Sequence, residues 1–327
     1  MEERLPSAIR TRVTDLLGIQ YPIIQGGLQN LGRARLAAAV SEAGGLGLVT
    51  AGCFEDPEEF RAELRLARSL TAKPVGVNIT IGIRRNMAEH LAVALEERPA
   101  AIFTSAASPE QFAPLLRKAG IPWVHVVASA RHARKAESLG ADAVVVVGTD
   151  GGGHPGLDEV GTLALIPRAV DSVKIPVIAA GGFADGRGLA AALSLGAEGV
   201  QMGTRFVVTT ECELPPVVKQ AYIAASELDT IIVERSLRKN LRVLATEAAR
   251  QIAAMEASGC SPEEVIPLLS GERHRAALER GDVQAGLHSC GQGVGLITAE
   301  LSAGEVIRQV VAQAHAQLTK LSARFVE

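Results

Sequence analysis

From Tyr21 to Thr204 the chain alternates short apolar runs with stretches whose apolar residues recur every three or four positions. The first pattern fits strands buried on both faces and the second fits helices with one buried stripe, so their alternation predicts strand–helix units around a parallel sheet. Eight strands are expected, at 23–25, 46–50, 75–78, 101–104, 123–127, 143–147, 177–180 and 200–202. Eight such units make an α/β (β/α)8 TIM barrel, which takes about 200 to over 400 residues. Between the second and third strands, Asp56 reads as an N-cap and Pro57 as the first helical residue, with Phe60, Leu64 and Ala67 on one face. Leu139-Gly140-Ala141-Asp142, before the sixth strand, is echoed by Leu195-Gly196-Ala197-Glu198 before the eighth. Each reads as a helix that ends at Gly and passes almost at once into a buried strand.

After Phe206 the pattern turns mainly helical, Pro215-Pro216 punctuates it, and no further strand run is expected. Residues 211–295 read as an inserted helical subdomain on the substrate side, and 1–210 with 296–327 as the barrel. A last helix over 302–318 sets Ile307, Val310, Val311, Ala314 and Leu318 at helical spacing, as a helix returning to cover the barrel would.

Composition narrows the function. Of 327 residues 47% are hydrophobic and 21% charged, the balance of a globular protein, and only 3% are aromatic. The core must be aliphatic, and a flat ligand would meet backbone and small side chains. A net charge of −3 supplies no basic field for nucleic acid or for anionic lipid. The first twelve residues lack an apolar core of signal-peptide length and no stretch reaches roughly 18 apolar residues, so a cytoplasmic protein is expected, without nucleic-acid or membrane partners. Cys53, Cys212, Cys260 and Cys290 are widely spaced and form no CxxC pair. Free thiols, and no metal site, follow.

The candidate chemistry lies where loops leave the predicted strands. Backbone N–H groups hold a phosphate only where no side chain blocks them, and barrels commonly do this after strands seven and eight. Ala180-Gly181-Gly182 and Gly203-Thr204 occupy those places. The first strand ends in Gln25-Gly26-Gly27-Leu28-Gln29, where a flat ring could lie against the chain. Asn78 and Thr80, after the third strand, add hydrogen-bonding groups suited to a polar heterocycle. After the sixth strand comes Gly148-Thr149-Asp150-Gly151-Gly152-Gly153-His154-Pro155-Gly156, whose glycines, Gly152 among them, allow close approach to a cofactor. His154 is the one histidine placed at the mouth, and imidazole suits proton transfer or the holding of an anion near neutral pH.

Taken together, the Gln25-Gly26-Gly27 strand end, the loop ending at His154, the run from Gly181 to Gly188 and Met202-Gly203-Thr204-Arg205-Phe206 resemble the nitronate monooxygenase family, formerly called 2-nitropropane dioxygenase. The likeness extends to Arg235-Ser236-Leu237-Arg238 and Gly291-Gln292. It implies a barrel that binds FMN non-covalently, with phosphate at Gly181-Gly182 and Gly203-Thr204, the isoalloxazine against Gly27, Leu28, Gln29 and Thr80, and His154 on the substrate side. The implied activity is oxidation of alkyl nitronates with oxygen. Close relatives are NADH:quinone reductases or enoyl-acyl-carrier-protein reductases, so the small-molecule substrate is a nitronate, a quinone or an enoyl thioester, and NAD(P)H is a candidate electron donor. One departure is Val126, where some quinone-reductase-like members carry a Lys that can stabilise negative charge on reduced flavin.

Three rival readings are weaker on the residues. A barrel that only binds a phosphate ligand would not need His154. An IMP dehydrogenase-like enzyme needs a nucleophilic cysteine on the sixth loop, which has none. Gly291-Gln292-Gly293-Val294-Gly295 follows no convincing strand and so fails the context of a dinucleotide fingerprint.

Overall fold

The computed structural model describes residues 6–82, 87–269 and 280–324. The first five residues of the N-terminal stretch, and 270–279 within the inserted segment, lie outside them. Eight parallel strands form one sheet: β1 (Ile23–Gln25), β2 (Gly47–Thr50), β3 (Val75–Ile81), β4 (Ile102–Ala106), β5 (Trp123–Val127), β6 (Ala143–Val147), β7 (Val177–Ala180) and β8 (Gly199–Met202). From β2 to β8 each strand pairs with the next in sequence, and β1 pairs with β8, Ile23 opposite Val200. The β1–β2 seam is joined by one bridge, Ile24 to Leu46, with Gln25 N–H donating to Leu46 O at 2.9 Å and Leu46 N–H to Ile23 O at 2.9 Å. This is the expected (β/α)8 barrel. All eight expected strands are present, with β3 and β4 running two or three residues further toward the mouth.

Side chains alternate across the sheet, so two cores result. Ile24, Leu46, Leu48, Phe103, Val124, Val145 and Ile178 fill the barrel interior, and Val13, Leu17 and Ile19 join the same cluster. The larger cluster, between sheet and helices, includes Trp123, Phe60, Leu64, Ile166, Leu189 and Phe206. The local signals behave as read. Asp56 caps the helix Pro57–Leu70 by accepting from Glu58 N–H, and Phe60, Leu64 and Ala67 are its buried residues. Gly140 and Gly196 both take left-handed backbone, φ 89° and 87°, and the next N–H in each case returns to a carbonyl of the preceding helix. The echoed sequences are thus one turn used twice, and glycine avoids the Cβ cost of that conformation.

The C-terminal helix, Ala303–Ser322, starts in a capping box between Ser302 and Glu305. It buries Ile307, Val310, Val311 and Ala314 against the helix Gly186–Ser194, while Leu318 stays partly exposed. Gly186 is glycine because any Cβ would collide with the backbone of Val310 and Ala314.

One expectation is corrected. The chain after Phe206 does contain strands: β9 (Thr230–Val233) and β10 (Leu241–Leu244) form an antiparallel hairpin, Val233 opposite Leu241. Around it stand the helices Pro216–Ala224, Glu247–Ala257 and Pro262–Val265. Val233, Leu241, Val243, Ala249, Ile252 and Val265 form a small core of their own. Four-residue segments carry too little periodicity to separate a short strand from a piece of helix.

Candidate active site

The loops leaving β1, β3, β6, β7 and β8 gather at the C-terminal end of the barrel, and they carry the expected residues except three: Asn78 and Thr80 lie within β3 itself, which runs on to Ile81, and Ala180 is the last residue of β7. At β1, Leu28 N–H donates to Thr50 Oγ1 at 3.0 Å, and Gln29 Nε2 donates to Gly52 O at 2.6 Å, which ties this loop to the end of β2. Gly27 is glycine for a neighbour's sake, because a Cβ there would collide with the Asn78 side chain. Asn78 is buried and donates to Ser105 Oγ at 3.2 Å, while Thr80 Oγ1 donates to Asn78 Oδ1 at 3.2 Å. Val126 packs with Val147 against the interior cluster, an apolar surface where a lysine was considered.

At β7, Ala180 is buried and its carbonyl accepts from Gly148 N–H at 3.0 Å. Gly181 and Gly182 both take positive φ, 100° and 76°. A Cβ on Gly181 would stand 2.8 Å from Thr162 Oγ1, whereas Gly182 has only Asp150 Cβ, at 3.3 Å. At β8, Gly203 has φ −104° and its nearest contact would be Leu28 Cδ2 at 3.5 Å. The backbone N–H groups of Gly182, Gly203 and Thr204 have no acceptor among the described residues. Such unpaired donors in uncrowded loops are what a phosphate group needs. Close by, Gln201 Oε1 and Thr149 Oγ1 are buried without a partner, two further polar atoms for a ligand to satisfy.

The β6 loop is held from behind. Asp150 accepts from Thr162 N–H at 2.7 Å and from Thr162 Oγ1 at 2.5 Å, and its carbonyl accepts from Gln292 N–H at 2.9 Å. At Gly152 the space a Cβ would need is taken by protein: it would stand 2.7 Å from the backbone of Cys290 and Gly291. In the 291–295 segment, Gly291 and Gly293 serve the same packing, since a Cβ on Gly293 would come within 2.5 Å of Gly182 O, whereas one on Gly295 would face Glu227 N at 2.7 Å. That segment closes over the loops after β6 and β7, and Gly291 N–H donates to Thr204 Oγ1 at 3.0 Å. Gly153, at φ 78°, has open space where a Cβ would be.

His154 follows directly and keeps 36% of its side chain exposed, with Nε2 3.5 Å from Glu234 Oε2. Glu234 is buried, just past the end of β9. Gly153 and Arg242 of β10 exchange backbone hydrogen bonds of 3.1 and 2.7 Å. The Arg242 side chain reaches Thr149 O at 2.8 Å and Thr230 Oγ1 at 3.0 Å. Burial lowers the pKa of its guanidinium, opposed by the nearby charges of Asp150 and Glu159. Sequence reasoning missed Glu234, Arg242 and Thr162. The first two ride on the unrecognised hairpin, whose signal was the β-branched run Thr230-Ile231-Ile232-Val233 followed by Leu241-Arg242-Val243-Leu244.

The arrangement therefore joins a set of unpaired backbone donors, a polar floor and one partly exposed imidazole at a single mouth. Known proteins resemble it. The model of the nitronate monooxygenase family matches residues 10–90 and 79–313. A Rhodococcus jostii (strain RHA1) protein named (3aS,4S,5R,7aS)-5-hydroxy-7a-methyl-1-oxo-octahydro-1H-indene-4-carboxyl-CoA dehydrogenase is 40% identical over 247 residues, spanning 75% of this chain and 69% of that one. A probable nitronate monooxygenase of Staphylococcus aureus (strain Newman) is 33% identical over 317 residues, spanning 84% and 88%. Among solved structures, FabK from Thermotoga maritima superposes with a TM-score of 0.91 at 41% identity, covering 97% of this chain and 100% of that one.

Proposed function

Because the chain belongs to the nitronate monooxygenase family and is an oxidoreductase, we propose that it is an FMN-dependent enzyme that oxidises alkyl nitronates with molecular oxygen. The observation that carries this reading is the meeting of unpaired N–H groups at Gly182, Gly203 and Thr204 with His154 at one mouth. FMN rather than FAD fits, because two adjacent loops make one terminal phosphate pocket and nothing in the sequence marks an adenosine site. Gly181, Gly182, Gly203 and Thr204 would hold the phosphate. Gly27, Leu28, Gln29, Asn78 and Thr80 would meet the ring, with Ala180 and Gly152 in the surrounding loops. When bound, FMN supplies the electron-accepting ring.

The protein's own part is binding and proton handling. A nitronate arrives as an anion, which an imidazolium or imidazole N–H of His154 can hold by its nitro oxygens, and a neutral ring can take the carbon proton from a neutral nitroalkane. The 291–295 segment packs on two of the loops, Gly291 against Asp150 O and Gly152 N and Gly293 against Gly182 O.

A second reading, a thioester oxidoreductase, is favoured by one specific observation: the relative at 40% identity is named for a coenzyme A thioester. The two chemistries are related. Both pass through a carbon next to an electron-withdrawing group, nitro in one and thioester carbonyl in the other, and both ask His154 to exchange a proton there or to hold the oxyanion. Transient docking of NAD(P)H would belong to the reductive version. Anaerobic mixing with a nitronate, with NADH and with an acyl-CoA, followed by flavin absorbance, separates them. Reduction by nitronate supports the first reading, and full bleaching by NADH with no response to nitronate sinks it.

A further inference from the structure

Outside the loops already described, the feature that stands out is what the β9–β10 hairpin does to His154. It touches the catalytic loop twice. Arg242 pairs its backbone with Gly153, the residue before His154, and Glu234 turns its carboxylate to the ring of His154. Glu234 is 6% exposed and has φ 66°, a left-handed backbone that a residue with a Cβ adopts at a cost. A buried carboxylate is unfavourable unless something compensates it.

Neither neighbouring guanidinium makes a hydrogen bond or ion pair with Glu234: Arg242 is bound to Thr149 and Thr230, and Arg235 to Glu159. Among the described residues, the side chains of Glu234 and His154 have only each other as polar partners. We propose that Glu234 is a positioning residue for His154, holding the Nε2–H side of the imidazole so that Nδ1 is the nitrogen offered to substrate. The separation of 3.5 Å is that of an ion pair, and it can shorten to a hydrogen bond when the ring gains a proton. The inference rests on the reading of His154 as the acid, base or anion-holding group, and deepens it.

The test uses the FMN-loaded full chain as Glu234→Gln, with Glu234→Asn as a second variant because Asn tolerates the left-handed backbone. Protein with nitrogen-labelled histidine is examined by NMR, with the His154 signals assigned by their loss in His154→Asn. In the parent the neutral ring should carry its proton on Nε2, and removal of the carboxylate should shift the balance toward the Nδ1–H form, read from the two ring-nitrogen shifts. Turnover, as kcat, should fall about 10- to 100-fold with flavin content unchanged. Glu234→Asp should recover part of the loss. An unchanged tautomer balance in both variants, with His154→Asn still impaired, overturns the positioning role and leaves the functional reading standing. Parent-rate turnover by His154→Asn overturns the functional reading, and with it any role for Glu234 in catalysis, whatever the tautomer does.

Discussion

Arg242 and Gly153 form an antiparallel bridge between the inserted hairpin and the loop after β6, with N–H to carbonyl distances of 3.1 and 2.7 Å. The Arg242 side chain then returns to Thr149 O at 2.8 Å, so one residue grips the loop by backbone and by side chain. Arg242→Met keeps the bridge and removes the side-chain grip. Losing buried charge-assisted hydrogen bonds should cost about 2 kcal/mol of stability. Turnover should fall about tenfold through displacement of His154. Hydrogen exchange over residues 149–154 should quicken while flavin stays bound, and unchanged exchange there would remove the gripping role.

The two loop glycines proposed to hold phosphate are unequal tests. Gly182 sits at φ 76°, so Gly182→Ala strains the backbone by about 1 kcal/mol whether or not a ligand is present. Gly203 sits at φ −104° with its nearest contact at 3.5 Å, so Gly203→Ala should leave the apoprotein midpoint almost unmoved. If the loop holds phosphate, that substitution should still weaken FMN at least tenfold. Equilibrium dialysis beside apoprotein denaturation reads both, and full flavin affinity in Gly203→Ala would exclude the loop from the phosphate site.

His154→Asn should retain FMN, because the proposed phosphate and ring contacts lie on other loops. Its turnover should fall about 10² to 10⁴-fold if the ring transfers a proton. A smaller loss seen mainly in KM would assign it to orienting the substrate. Parent-level rates with every substrate class would make it a structural loop residue.

His125 offers a pH test away from the site. Thr104 Oγ1 stands 2.8 Å from His125 Nδ1 and accepts from the Trp123 indole N–H at 2.8 Å. Burial, helped by the charge of His132, pushes the His125 imidazole from 6.5 down to about 4. The neutral ring is thus favoured in the folded chain. Its stability contribution is whole above the unfolded value near 6.5 and is lost as pH falls toward 4, by up to about 3 kcal/mol at pH 4. Carboxylates titrate in the same window, so the comparison is with His125→Gln, whose stability should fall less between pH 7 and pH 4. Trp123 is the sole tryptophan, so its emission follows the event directly. Parallel pH curves for parent and variant would show that His125 is not the group responsible.

The barrel was legible because its signals are local and repeated. Asp56-Pro57, and the turns at Gly140 and Gly196, each commit a few residues to one geometry that the neighbours do not override. The mouth was legible in position but less so in cause. Gly27 and Gly152 are glycine because Asn78 and the backbone of Cys290 and Gly291 pass close by, which is visible only once distant segments are brought together. Glu234 and Arg242 were hidden for the same reason: their partners lie about 80 or more positions away in the chain, on a loop whose glycines drew attention to itself rather than to what braces it.

The seam beside β1 has a consequence for how the protein is made. Ile23 pairs with Val200, and the other edge of β1 is joined to β2 by the single Ile24–Leu46 bridge. Within the barrel β1 therefore has few strand partners until β8 has been translated, so ring closure comes late. The loops after β1 and β8 become neighbours only at that step. If they hold FMN as proposed, cofactor capture can serve as a clock for synthesis: nascent chains stalled before β8 should retain no flavin, however much of the sheet they have already formed.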